Sequence, residues 1–151
     1  MTTASTIGYW ALLSVGYHLG WEILQLPLYT IWRSDLATIV FAVAHCTAGD
    51  VLIAVSTYAF GAAVARTWQW PMRRPIPGLA SVLVAGVAYA ALSEWLNVSV
   101  RGSWEYAEAM PVIAGIGLSP LLQWALVPLI VLRTFRFAAN RIDRPNGDPH
   151  A

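Results

Sequence analysis

The chain has 151 residues, 58% of them hydrophobic and only 11% charged, with a formal net charge of +1. A soluble domain carries about 25% charged residues to build its outer face, so this composition points to an integral membrane protein of one domain. The near-zero charge, without a basic stripe interleaved with aromatics, excludes nucleic acid as a partner. The single cysteine, Cys46, excludes an intramolecular disulfide and a multi-cysteine metal framework.

In chain order, four segments are apolar enough to cross a hydrocarbon core, which takes roughly 20 residues. The first covers about 7–26 and stops before Pro27. It lacks a basic leader and a small-residue cleavage site, so it is expected to be retained. The second lies within 36–65, with Ser34 and Asp35 as capping candidates. Residues 67–78, rich in proline, are expected to break any helix. The third span covers about 79–96. A polar and aromatic connection follows, and the fourth span, about 112–132, carries Pro120 and Pro128, which bend a helix. An Arg-rich amphipathic tail comes next, and residues 146–151 are expected to be disordered. The expectation is therefore an all-α membrane protein, a four-transmembrane-helix bundle forming one domain over 1–145.

Arginine sets the expected orientation, because basic residues collect on the cytoplasmic side. Arg66, Arg73 and Arg74 flank the second connection, and Arg133, Arg136, Arg141 and Arg144 follow the last span; only Arg33 and Arg101 lie on the other side. Both termini are expected in the cytoplasm of a multi-pass inner-membrane protein.

Ionisable groups within a span are costly, about 2.5–3.5 kcal/mol for an acid or base at the helix centre, and are functional suspects by default. The chain offers His18, Glu22, His45, Asp50 and Glu94. On the first span His18, Glu22 and Gln25 share one face at i, i+4 and i+7. On the second, His45, Cys46, Gly49, Asp50, Ser56 and Thr57 fall on a broad arc. The third has Gly86, Ala90, Glu94 and Asn97; the fourth has Gly115, Ser119 and Gln123. These small or polar faces turn inward, because lipid cannot satisfy their hydrogen bonds. Counted along the helices, the groups converge between the midplane and the outer surface. Trp104, Glu105, Tyr106 and Glu108 of the third connection are placed to cover that mouth.

Each of these residues also has a plain structural role open to it. His18 and Glu22 can lock one helix, Asp50 can be a buried acceptor, Glu94 and Asn97 can be interfacial, and Cys46 can be a packing residue. It is the convergence of three acids and two histidines that favours chemistry. A carboxyl group in a low-dielectric site can hold a proton, and a neighbouring base can return it. The expected catalytic set is His18, Glu22, His45, Asp50 and Glu94. Gln25, Asn97, Trp104, Tyr106, Ser119, Gln123 and Trp124 are the expected contacts to a lipophilic small molecule, which together with membrane lipids is the expected partner. No cofactor is assigned and the oligomeric state is open. Two alternatives stay open: His18 and His45 as ligands of a haem or metal in a redox subunit, and a small transporter or proton relay.

Four spans, cytoplasmic ends, the H-x-x-x-E of His18 and Glu22, and an acid at Asp50 resemble the EXPERA-type sterol isomerase and emopamil-binding fold. Gln123 and Trp124 would be its polar and aromatic partners on the last helix. The first connection is shorter than in that family, and Asp50 stands where Glu is expected. The resemblance implies isomerase-like acid–base chemistry on a lipophilic substrate.

Overall fold

The computed structural model describes residues 2–142. The expected disordered tail, and residues 143–145 of the expected domain, lie outside the described residues. Helix α1 covers Thr3–Gln25, α2 Leu36–Ala65, the one-turn α3 Trp70–Arg73, α4 Pro75–Glu94 and α5 Leu118–Ile142. The four main helices form a closed ring in which α1 and α4 each pack against both α2 and α5.

Local chemistry sets the helix ends. Pro27 follows α1 and sits in a 3₁₀ turn, Leu26–Leu28. Asp35 caps α2: one carboxylate oxygen accepts the Thr38 amide at 3.0 Å and the other its hydroxyl at 2.6 Å. Those bonds, the hydroxyl first, hold its carboxyl below the usual carboxylate range.

Residues 67–78, expected from their prolines to break any helix, instead contain helix. Trp70–Arg73 forms a turn of helix, and α4 begins at Pro75, with Pro75 and Pro77 in its first turn. Amides there have no intrahelical acceptor, so a proline loses nothing. At its far end α4 runs into a π-helical segment, Trp95–Val100. The last span also differs from expectation at both ends. Residues 112–117 are a hairpin, Val112–Ile113 (β1) against Ile116–Gly117 (β2), turning at Ala114 and Gly115 with φ of 53° and 82°. Two central residues at positive φ make the tight turn whose twist suits a two-residue hairpin. Gly115 therefore lies outside the helical stripe assigned to it. Helix α5 begins at Leu118 and continues through the arginines, because Phe135 and Ala139 keep an apolar face buried.

Three helical stretches are long and apolar enough to cross a membrane: Leu36–Ala65, Pro75–Val100 and Leu118–Arg141. Helix α1 has 23 residues and is less apolar, since Trp10, His18, Glu22 and Gln25 fall along it. Large apolar side chains cover the outside of the bundle, among them Leu24, Phe41, Leu52 and Val84. A soluble monomer rarely exposes so much contiguous apolar surface.

The core fills one end of the ring. Trp10, Tyr58, Trp70, Val82, Val127 and Val131 form a buried cluster. The Tyr58 hydroxyl donates to the Trp68 carbonyl, and the Trp70 indole donates to the Tyr58 carbonyl at 3.3 Å. At this end α2 and α4 touch through glycine: a Cβ on Gly61 would lie 2.9 Å from the Gly78 carbonyl oxygen, and one on Gly78 would lie 2.3 Å from the Trp70 ring.

Candidate functional site

The buried residues of α1 are Thr6, Trp10, Ser14, His18, Glu22 and Gln25. Steps of four residues, and a last step of three, keep them on one face, which starts in the aromatic core and ends in a polar cluster.

The centre of that cluster is the Gln123 side-chain amide on α5. Its Nε2 lies 2.8 Å from Asp50 Oδ2, 2.9 Å from His18 Nδ1 and 3.2 Å from Glu22 Oε1. His18 Nδ1 is also 3.4 Å from Asp50 Oδ2. Gln25 Nε2 donates to Glu22 Oε1 at 2.9 Å, the Ser119 hydroxyl donates to Gln25 Oε1 at 2.8 Å, and the Trp21 indole donates to Ser119 at 3.2 Å. His18, Glu22, Gln25, Ser119 and Gln123 are all buried. One network thus joins α1, α2 and α5. An amide nitrogen carries two hydrogens, and here it faces two carboxylate oxygens and the His18 ring nitrogen, which donates or accepts according to its tautomer.

Trp124 walls the cluster. Its ring sits 5.0 Å from that of His18. It reaches this position because residue 86 is glycine: a Cβ there would lie 2.2 Å from the Trp124 ring.

Glu94 organises the other side. Its Oε2 accepts the Tyr106 hydroxyl at 2.6 Å and the Tyr29 hydroxyl at 3.3 Å. Burial, and then the neighbouring Glu94 carboxylate, push both phenols above the ordinary tyrosine value. The Tyr106 oxygen also accepts the Gly117 amide at 2.8 Å, which ties the hairpin to the site. Backbone bonds from Thr30 to Glu105 and from Ala107 to Leu28 clamp the third connection onto the first. Residues 101–110 therefore close over the bundle end, and Met110 is buried beneath them.

Between these groups lies a cavity of about 320 Å³. Glu22, Gln25, His45, Asp50, Glu94, Asn97, Trp104, Gln123 and Trp124 line it. His18 and Ser119 stand behind this wall as hydrogen-bond partners, and Tyr106 reaches it through Glu94. The expected site residues thus gather at one end of the bundle, in unequal positions. His45 is exposed at the rim, stacked on Phe41 with ring centroids 5.7 Å apart, and takes no part in the Gln123 network. Asn97 donates to the Ser93 carbonyl at 2.9 Å, bracing the π-helical segment. The Trp104 indole N–H is buried near Glu94 without a hydrogen bond of normal geometry. Ser56 faces outward and drops off the arc assigned to it.

Sequence reasoning missed Tyr29. The signal was its place just past Pro27, one turn beyond Gln25, but a tyrosine in a short connection reads as an interfacial anchor. Cys46, expected as packing, lines the cavity. Among the described residues no group of three or more His, Cys, Asp and Glu side chains is arranged to hold a metal ion, and His18 and His45 sit in different surroundings. No family model, no curated protein and no solved structure matches this chain, so the likeness to the EXPERA-type fold rests on its residues alone.

Proposed function

We propose that the chain is a four-span membrane enzyme, with both termini in the cytoplasm, that moves a proton on a lipophilic molecule held in the cavity. The observation that carries this reading is the sharing of the Gln123 amide by Glu22, Asp50 and His18. Two carboxyl groups and an imidazole gathered on one amide, with His18 Nδ1 also 3.4 Å from Asp50 Oδ2, are placed to hold and exchange a proton. A proton passed among two carboxyl groups and an imidazole beside an apolar cavity suits isomerisation, hydration or cyclisation of an unsaturated substrate. One group gives a proton to carbon and another takes one away. Glu22 and Asp50 are the proposed acid and base, His18 and Gln123 hold them, and Glu94 with its two tyrosines closes the mouth.

The proton-relay alternative has less support. The network runs across the bundle between helices, and the Trp10–Tyr58–Trp70 cluster seals its inner side with apolar groups.

The test uses membranes containing the protein, incubated with their own lipid extract in deuterium oxide. Proton transfer to carbon leaves non-exchangeable deuterium in a lipid-soluble compound, which mass spectrometry detects. Label that depends on the wild-type protein and falls about 100-fold or more in Glu22→Gln and in Asp50→Asn is the expected result, the scale of general acid–base catalysis. Equal labelling by well-folded variants would overturn the proposal.

A further inference from the structure

The geometry points to a sideways entrance: we propose that the cavity opens into the bilayer between α2 and α4, rimmed by His45 and Tyr89. Its substrate is then a long-chain molecule whose polar group is an uncharged hydroxyl or carbonyl. The inference deepens the proposed function and rests on the cavity being a substrate site.

The two helices meet at Gly61 and Gly78. Counting outward from that contact at about 1.5 Å per residue, Asp50 and Tyr89 lie level at about 16 Å, and His45 and Glu94 at about 24 Å. No residue of α2 from 36 to 46 is buried. His45 and Tyr89 both line the cavity and both are exposed, Tyr89 at 48%. A residue that faces the cavity and the outside at once marks an edge of the opening. At the axial end the Tyr106–Glu94 bond and the Thr30–Glu105 and Ala107–Leu28 backbone bonds hold residues 101–110 across the bundle, and the exposed Arg101 is the one charged side chain of that cover that lines the cavity.

The walls of the gap limit what passes. Ala42, Val43, Ile53 and Ala90 are apolar. A charged head group arriving through hydrocarbon carries a heavy penalty, whereas a hydroxyl or carbonyl carries a much smaller one and finds an acceptor at Asp50 and a donor at the Trp104 indole N–H.

Cys46, the single cysteine, lines the cavity one helical turn from Asp50 and serves as a built-in probe. Protein in phosphatidylcholine vesicles is treated with N-pyrenylmaleimide, which partitions into the bilayer, or with a disulfonated stilbene maleimide, which stays in water. The pyrene reagent is expected to modify Cys46 at least about tenfold faster, since both reagents meet the same thiol with the same thiolate fraction and differ only in access. A side chain on Gly49 would meet open space, so Gly49→Phe is expected to plug the gap and slow the pyrene reaction about tenfold. Tyr89→Ala, which trims the rim, is expected to speed it, and keeps the test open should Gly49→Phe not fold.

Equal or faster labelling by the charged reagent would mean a water-filled mouth and overturn the proposal. So would indifference of the labelling to both variants. Labelling requires no turnover. Success here alongside failure of the deuterium experiment would therefore leave a lipid-filled cavity without proton chemistry, whereas the reverse would leave proton chemistry with another entrance.

Discussion

Gln123 is the side chain on which the cluster depends. Gln123→Leu keeps the shape of the site and removes the donor that joins buried Glu22 and His18 to partly buried Asp50. Each buried polar group left unpaired costs about 1–3 kcal/mol. A loss of stability within or above that range is therefore expected, measured by thermal unfolding in detergent. Unchanged stability would mean that water replaces the amide. Gly86→Ala places a Cβ against the Trp124 ring, itself buried. Overpacking costs about 1–3 kcal/mol, and the Trp124–His18 contact should loosen, with a shift in tryptophan fluorescence. Tyr29 and Tyr106 carry a pH prediction. Their phenols are held above the unfolded value by burial and by Glu94. Their stabilisation is present in full below about pH 10, where unfolded tyrosine ionises, and is lost as pH rises through the higher folded values. Near-ultraviolet absorbance should show two of the six tyrosines ionising last, and Glu94→Gln should bring them down. The polar face of His18, Glu22, Gln25 and Gln123 was legible from helical spacing, because a polar group in a span has only the interior to face. Tyr29 and Tyr106 were harder. Loop residues follow no period, and only the clamp between the two connections brings them to Glu94.

At the scale of elements, helix existence was legible and helix ends were less so. The apolar length of α2 and the Asp35 cap place it correctly. Residues 112–117 have the hydropathy of a span yet form a hairpin, turning at Ala114 and Gly115, whose positive φ suits a tight turn. Ala114 is the weak point of that turn. An L-residue with a Cβ pays for the left-handed conformation, and asparagine tolerates it better. Ala114→Asn should raise thermal stability by up to about 1 kcal/mol; a decrease would mean that the hairpin is held otherwise. The clamped third connection gives a second prediction at this scale. The amides of Thr30, Ala107 and Gly117 should exchange at least about tenfold more slowly than exposed loop amides such as that of Glu108. Uniformly fast exchange between residues 102 and 109 would show that the cover is open.

For the whole molecule, the apolar exterior and the three candidate spans describe a multi-pass membrane protein. With α1 as a fourth span, a periplasm-active reporter fused after Ala151 should be silent, and one inserted beside Arg101 should be active. The opposite pattern would invert the bundle. Membrane placement and the inward turn of the acids follow from composition and periodicity alone, because the solvent outside, lipid, accepts neither charges nor unpaired amides. Which acids share a donor does not follow from them. Asp50 and Glu22 meet at Gln123, while His45, on the same helix as Asp50, stays at the rim. That outcome depends on how α2 packs against its neighbours, which the close Gly61–Gly78–Trp70 contact fixes at one end, and no local pattern in α2 records it, since packing across helices is a property of the assembled ring.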